Sequence, residues 1–445
     1  MKHILLIGAG RSTGSLVKYL IDNAKENSWD LKIADRNFDF INASYFDLEY
    51  VNKIEFDVTN ETQRKELIKS SDIVISMLPA HMHIDVAKDC IAYQKHMVTA
   101  SYISPEMKAL EAEAKAAGVI IINEIGVDPG IDHLSAKKVI DEIIEEGGEL
   151  KDFETFTGGL VAPEHDNNPW NYKFTWNPRN VVLAGQGGTV KFKQEGTYKY
   201  IPYNKVFRRT ELIDIDGYGR FEGYANRDSL KYRKVYDLEN ISTMFRGTLR
   251  RPGYCRAWDA FVELGATDDS YTLANSKNLT FRSFINLFLP YNPSDSVELK
   301  FMHYLNIAHD DIELFEKYEW LDLFKDVPVE LDNATPAQIL QKILMRKWTL
   351  AEEDKDMIVM WHKFIYLKDN KLHERHSSMV VKGEDQTHTA MAKTVGLPVG
   401  ITTKMILNGK IAEPGVHIPI KKAIYEPILS ELEDYGIIFN EKNIT

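Results

Sequence analysis

The sequence predicts an α/β protein: a Rossmann doubly wound parallel sheet, followed by a mixed α/β substrate domain with a helical insert. Three observations predict it. Lys2 to Ile7 is a short apolar strand that runs into Gly8-Ala9-Gly10 and then a helical stretch, Ser15 to Ala24. Further strand-like runs (Leu31 to Ala34, Asp72 to Ser76, His96 to Thr99, Val119 to Ile122) alternate with helical ones, the pattern of right-handed parallel crossovers. Past Lys151 the pattern changes to short strands punctuated by turns, as in a mixed or antiparallel sheet.

In chain order, Gly8 permits the tight turn after the first strand. Gly10 lets a pyrophosphate approach the backbone at the following helix N-terminus. Thr13 stands where the third fingerprint glycine belongs and Gly14 comes one later, so the match to G-x-G-x-x-G/A is partial. Its position between the first strand and a second one ending in Asp35 points to a dinucleotide. Asp35 suits the ribose 2′-OH of NAD, whereas Arg36 suits the 2′-phosphate of NADP. Asp35 tips the expectation towards NAD. Helices are expected over Ile84 to Tyr93 and Pro105 to Ala117, so the carboxyl edge of the sheet carries Ser76 to Ala80, Ala100-Ser101-Tyr102 and Asn123 to Asp128.

The stretch Asn123-Glu124-Ile125-Gly126-Val127-Asp128-Pro129-Gly130-Ile131-Asp132-His133 joins an apolar strand to an amphipathic helix. Strand-to-helix turns at that edge are where such sheets hold ligands. Asp128, fixed between glycines and a proline, is the functional candidate there; His133 reads as helix-terminal structure.

In the second part, strands are expected over Phe153 to Thr157, Val181 to Ala184, Thr189 to Phe192, Thr197 to Ile201 and Glu211 to Ile215. Thr157 to Glu164 is expected to lead from strand into loop. Arg227, in Asn226 to Ser229, and Arg246 and Arg250, in Phe245 to Arg250, are expected in tight turns. Residues 267–353 are mostly helical, with aromatics at helical spacing that suit a core or a subunit contact. Lys355 to Leu367 and Lys371 to Val381 form a hairpin about Lys368-Asp369-Asn370. The small-residue helix from Thr387 to Pro398 suits close packing on the sheet begun by Met1 to Gly8, so both chain ends are expected in one domain.

Composition excludes several classes. A net charge of −12 disfavours nucleic-acid binding and means that an anionic substrate needs its own arginines. No apolar run approaches the roughly 18 residues of a membrane span. Cys90 and Cys255 are the only cysteines, which disfavours a disulfide scaffold or a cysteine metal site and suggests the cytoplasm. His81 and His83 are two apart and point to different faces of a helix, and His373-Glu374-Arg375-His376 lacks a zinc-helix spacing. No metal is expected.

Gly8-Ala9-Gly10, Leu78-Pro79, Val98 to Pro105, Asn123 to His133 and Gly158-Gly159-Leu160-Val161-Ala162-Pro163-Glu164 resemble the L-glutamate-forming saccharopine dehydrogenases, or saccharopine reductases. Asn226 to Ser229, Arg246 to Arg250 and Ala390 to Pro398 extend the resemblance in the family's order. It implies three parts: a dinucleotide-binding domain of residues 1–130 with 384–445, a substrate-binding and dimerisation domain of 131–266 with 355–383, and a helical insert of 267–354. It also implies a homodimer that oxidises saccharopine to an imine with NAD or NADP. Hydrolysis of the imine gives L-glutamate and 2-aminoadipate 6-semialdehyde.

Carried onto these motifs, the resemblance implies cofactor contacts from Gly8, Gly10, Arg11, Ser12, Thr13, Asp35, Arg36, Leu78, Pro79, Ile125, Gly126 and Val127. Substrate contacts fall to Ser101, Tyr102, Asp128, Gly158, Gly159, Arg227, Arg246 and Arg250, with Asp128 and Tyr102 as acid/base candidates. Fungal members carry no acid at the position of Asp35 and tend to have cysteine at that of Thr157, so a thiol takes no part here. Two other readings are a carboxynorspermidine dehydrogenase-like imine reductase and a non-catalytic NAD(P)-sensing protein. The three arginines and the long helical stretch argue against the first. Gly8, Gly10, Ser101, Asp128 and Arg227 together argue against the second.

Overall fold

In the computed structural model, which describes residues 1–184, 186 and 188–444, the strands in chain order begin with six that form one parallel sheet. They are β1 (Lys2–Ile7), β2 (Trp29–Asp35), β3 (Val51–Glu55), β4 (Ile73–Ser76), β5 (His96–Val98) and β6 (Ile120–Ile122). Next come β7 (Glu149–Val161), β8 (Val190–Gln194), β9 (Thr197–Ile201), β10 (Thr210–Ile215), β11 (Gly219–Ala225) and β12 (Thr243–Arg250). The last four are β13 (Asp356–Lys368), β14 (Lys371–Lys382), β15 (Gly415–His417) and β16 (Asn440–Asn443). The chain divides into two compact units, Met1–Leu150 with Phe364–Thr445, and Lys151–Lys363.

In the first unit the sheet order is β15-β6-β5-β4-β1-β2-β3, every pair parallel. Buried strands carry unbroken apolar runs (Ile73-Val74-Ile75 in β4, Ile120-Ile121-Ile122 in β6), as expected where helices cover both faces of a parallel sheet. The order reverses between β1 and β4, so their carboxyl ends open a crevice. Both chain ends build this unit. β15 adds to the edge of β6, with Gly415 beside Ile120, and the helix Ala390–Leu407 lies on the helix Gly14–Asn27. Glycines set the closeness of that pair: a Cβ on Gly396 would lie 2.9 Å from the Leu16 nitrogen, and one on Gly400 2.5 Å from the Tyr19 ring.

The helix Ile131–Glu145 belongs to the same unit, which therefore runs past residue 130. Its partner is the helix Lys422–Glu433: Tyr425 donates to Asp141 at 2.7 Å, and Lys422 pairs with Glu145 at 2.7 Å.

In the second unit β11 is antiparallel to β10 and β12, while β12 is parallel to β7, giving the order β10-β11-β12-β7-β13. The β8–β9 hairpin joins through Met244 opposite Lys193. Phe156 lies over Gly223 and Gly247, where a Cβ would come within 2.5 and 2.3 Å of its ring. The helical stretch is not a separate body. Trp170 stacks on Phe261 at 5.8 Å and meets Trp348 at 5.2 Å and Tyr318 at 6.0 Å, so the later helices share one aromatic core with the rest of the unit.

Several local expectations change. Val181 and Val182 end a helix, Pro178–Val182, that starts with Asn177 accepting from the Arg179 N–H and with proline in the first turn. Phe245 to Arg250 is strand rather than turn, so Arg246 and Arg250 share a face through the two-residue period of a strand. Gly158 and Gly159 lie inside β7, where a Cβ on Gly158 would sit 2.7 Å from the Leu249 carbonyl oxygen. The helix expected over Pro105 to Ala117 is broken at Leu110. The β13–β14 hairpin turns through Asp369 and Asn370, both with positive φ, as a tight hairpin requires.

Replacing Gly396 with valine should force apart the helix pair formed by the two chain ends. An overpacked contact of this kind costs roughly 1–3 kcal/mol. The expected result is a lower denaturation midpoint in urea; an unchanged midpoint would show that the pair yields freely.

Candidate active site

The site is built at the carboxyl edge of the parallel sheet. Gly8 has φ +103°, and a Cβ there would come 2.8 Å from the Met77 carbonyl oxygen, so only glycine fits between β1 and the loop after β4. Gly10 faces open space. The Thr13 hydroxyl donates to the Gly10 carbonyl at 2.7 Å, which closes the loop, and no side chain caps the first turn of the helix that follows. Backbone N–H groups left open at such a turn favour a phosphate. Arg11 is exposed and lies over the Phe40 ring at 4.9 Å, and Ser12 is half-buried beside it.

Asp35 ends β2 with both carboxylate oxygens engaged. One accepts from the Ala9 N–H at 2.5 Å, the other from the N–H groups of Arg36 at 2.6 Å and Asn37 at 3.1 Å. The aspartate thus ties the glycine loop to the next turn. Arg36 is exposed and pairs with Asp57 at 2.6 Å, and that guanidinium holds the Asp57 carboxyl down to about 2. Leu78 is half-buried and Pro79 exposed in the loop after β4.

The turn between β6 and the helix Ile131–Glu145 folds back on itself. Gly126 N–H donates to the Pro129 carbonyl and Ile131 N–H to the Gly126 carbonyl, both at 2.8 Å. Gly130 has φ +147°, and a Cβ there would lie 2.0 Å from the Gly126 oxygen. Ile125 and Val127 are buried beneath the turn, and Asp128, before a cis proline bond, is half-exposed. Tyr102 donates to Asp128 at 3.2 Å, so the two acid/base candidates meet.

Glu124 makes that meeting possible. It is 2% exposed, and its carboxylate accepts from the Ile103 N–H at 3.0 Å and meets His133 Nε2 at 2.8 Å. Its own N–H donates to the Ser101 carbonyl at 3.0 Å. The turn bearing Tyr102 and the turn bearing Asp128 are therefore held together by one buried side chain. Sequence reasoning passed over Glu124. A carboxylate inside an apolar run, nine residues before a histidine that opens a helix, was the available signal.

A second network was also missed. Ser76 Oγ lies 2.8 Å from His83 Nδ1, and His83 Nε2 lies 2.7 Å from Ser101 Oγ. The hydroxyl residues at the ends of β4 and β5 were its signal. Among the described residues no group of three or more His, Cys, Asp or Glu could hold a metal, and no helix is long and apolar enough to cross a membrane.

The arginines lie in the other unit. Arg227 is exposed, in a turn with φ +50°, and the Asn226 N–H donates to the Arg246 carbonyl at 2.9 Å. Arg246 is 5% exposed and lies 4.2 Å over the Tyr232 ring. Arg250, also 5% exposed, is surrounded by the rings of Tyr172, Tyr254 and Tyr224 at 5.0, 5.3 and 5.9 Å. It donates to the Leu249 carbonyl at 2.8 Å, while its Nε and the buried Tyr172 hydroxyl have no hydrogen-bond partner among the described residues. Burial pushes the Tyr172 hydroxyl up to about 12, against the pull of the guanidinium.

This geometry sits in a chain whose residues 4–122 match the saccharopine dehydrogenase NADP binding domain and residues 126–437 the saccharopine dehydrogenase C-terminal domain. The chain belongs to the saccharopine dehydrogenase family. It is 33% identical over 451 residues to saccharopine dehydrogenase [NADP(+), L-glutamate-forming] of Saccharomyces cerevisiae, covering 100% of this chain and 99% of that one. It is 34% identical over 459 residues to the mitochondrial alpha-aminoadipic semialdehyde synthase of Mus musculus, covering 99% of this chain but 48% of that protein. The chain thus spans about half the length of the rodent relatives it matches. The apo histidine-tagged saccharopine dehydrogenase (L-Glu forming) from Saccharomyces cerevisiae superposes with a TM-score of 0.89 and 31% identity, over 100% of both chains.

Gly130→Ala should cost roughly 2 kcal/mol or more, since it adds a clash with the Gly126 carbonyl to a backbone conformation that only glycine adopts easily. Gly118→Ala, at φ +69° with open space around it, should cost only about 1 kcal/mol. Equal losses in thermal stability would remove the special constraint assigned to the 126–130 turn.

Proposed function

We propose that the chain oxidises saccharopine with NADP(+), yielding L-glutamate and 2-aminoadipate 6-semialdehyde. One observation carries this reading: a chain that matches the yeast L-glutamate-forming enzyme over its whole length holds Tyr102 and Asp128 in hydrogen-bond contact at a sheet edge beside an open glycine loop. Saccharopine, NADP(+) and water become the two products, NADPH and a proton.

In this proposal the unit of Met1–Leu150 with Phe364–Thr445 holds the dinucleotide, and arginines of the unit Lys151–Lys363 bind substrate carboxylates. Gly8, Gly10, Ser12, Thr13 and the uncapped helix turn cradle the pyrophosphate, with Leu78, Pro79 and Ile125 to Val127 along the same edge. A nicotinamide held there would supply the hydride acceptor for the carbon bearing the secondary amine. Asp128 takes the proton that the amine must shed and releases it to solvent; it later takes a proton from the water that adds to the imine carbon and passes it to the departing glutamate nitrogen. Tyr102 keeps that carboxylate turned to its task. Arg250, with Arg246 and Arg227, binds carboxylates; the Arg250 Nε, buried with no hydrogen-bond partner among the described residues, is the donor that gains most from an arriving anion.

The choice of NADP(+) rests on the printed names of the yeast relatives and on Arg36. Asp35, which by sequence suits NAD, spends its oxygens on three backbone N–H groups and so serves as a loop anchor. Arg36, paired with Asp57, would hold the 2′-phosphate of a bound NADP(+).

Two measurements test the proposal. In a spectrophotometric assay with product identification, saccharopine and NADP(+) should give glutamate, and Arg250→Lys should lower kcat/KM at least roughly tenfold, since the forked donor is lost. Turnover of saccharopine unaffected by Arg250→Lys would remove that arginine from the site. Arg36→Ala should weaken NADP(+) roughly tenfold and leave NAD(+) nearly unchanged, because one charge-assisted hydrogen bond is worth about 1.5–3 kcal/mol. Equal effects on both cofactors would refute the role of Arg36.

A further inference from the structure

His83 opens the helix His83–Ala92, is 3% exposed, and stands between two serine hydroxyls. Ser76, at the end of β4, is completely buried, and its hydroxyl meets only Nδ1 of this imidazole among the described residues, at 2.8 Å. If Nδ1 carried the ring proton, the Ser76 hydroxyl would have no acceptor, and a buried donor left unmade is expensive. Ser76 therefore donates to Nδ1. Burial, with His81 nearby, lowers the ring to about 4, so it is neutral at ordinary pH and its single proton is on Nε2.

That proton goes to Ser101 Oγ at 2.7 Å. Thr99 Oγ1, at 3.5 Å from Nε2, is at the outer limit of a hydrogen bond and instead accepts the Ser101 N–H at 3.3 Å. The Ser101 oxygen is thus an acceptor towards the ring, and its own proton is left to point elsewhere. Ser101 is half-buried, its carbonyl is pinned by the Glu124 N–H, and the next residue is Tyr102, the partner of Asp128. The opposite tautomer would draw the Ser101 proton back to the ring and turn a lone pair outward, which repels an anion.

We propose that His83 is a positioning residue: it fixes Ser101 as a hydrogen-bond donor to a carboxylate of the substrate, an inference that rests on the saccharopine reading above. The relay Ser76 to His83 to Ser101 moves no proton in the reaction; it settles which way one hydroxyl faces.

The tautomer is read on the unmodified chain, labelled with 15N-histidine, with His83→Asn as assignment control. The expected result is an Nε2–H ring with no titration between about pH 5 and 8. An Nδ1–H ring overturns the proposal. In kinetics, Ser101→Ala and His83→Gln should each raise KM for saccharopine about tenfold, with kcat and the Kd for NADPH within about twofold. The double variant should be no worse than either single one, because both remove the same bond. Additive losses, or weaker NADPH with an unchanged KM, overturn it. An unmodified chain that fails to turn over saccharopine sinks the functional reading and with it the carboxylate, whereas the relay stands or falls on the tautomer.

Discussion

The contact between Gly126 and Gly130 is the constraint on which the candidate site depends. Two glycine α-carbons let the chain cross its own path within the eight residues, 123–130, that bridge a strand end and a helix start. No side chain fits there, and the side chains around it do the fastening. Glu124 reaches the neighbouring turn, His133 receives it from the first turn of the helix, and Asp132 accepts the Gly130 N–H at 2.6 Å. Asp128 is left at the apex of this turn, where it accepts from Tyr102 at 3.2 Å. The proton transfer proposed for Asp128 would gain from this arrangement, because little freedom remains to be lost when a ligand arrives.

Electrostatics separates Arg250 from the other buried cations. The chain carries a net charge of −12, and buried cations elsewhere have their own carboxylates: Arg64 meets Asp89 at 2.7 Å and Lys173 meets Asp354 at 2.5 Å. Arg250 is different in kind. Three tyrosine rings supply the faces of a box, which stabilises a guanidinium without neutralising it. Such a box keeps the cation in place while leaving it an acceptor's worth of unspent donors.

Periodicity made the parallel sheet legible, because buried parallel strands are unbroken apolar runs and Gly8 and Gly10 stand directly after the first. The pairing of Tyr102 with Asp128 follows from two turns that the alternation of strands and helices places side by side. β15 escaped because three residues carry no pattern, and its strand character comes from β6 alone. Arg246 to Arg250 read as a turn because Gly247 looks like punctuation, whereas it is the space that the Phe156 ring fills. His83 was weighed as a metal ligand, and its hydroxyl partners are seven residues before it and eighteen after, at the ends of different strands. Networks of that sort have no sequence period.

The edge of β6 has a further implication for how the chain is made. Vectorial synthesis delivers β1 to β6 before Gly415–His417, which closes that edge, and before the helix Ala390–Leu407, which lies on the helix Gly14–Asn27. Until then the nascent sheet shows an open row of backbone donors and acceptors on an isoleucine-only strand, the kind of surface that recruits other strands. A ribosome stalled between β6 and β15 would leave a polypeptide with an adhesive flank, because the residues that close it lie far away in sequence.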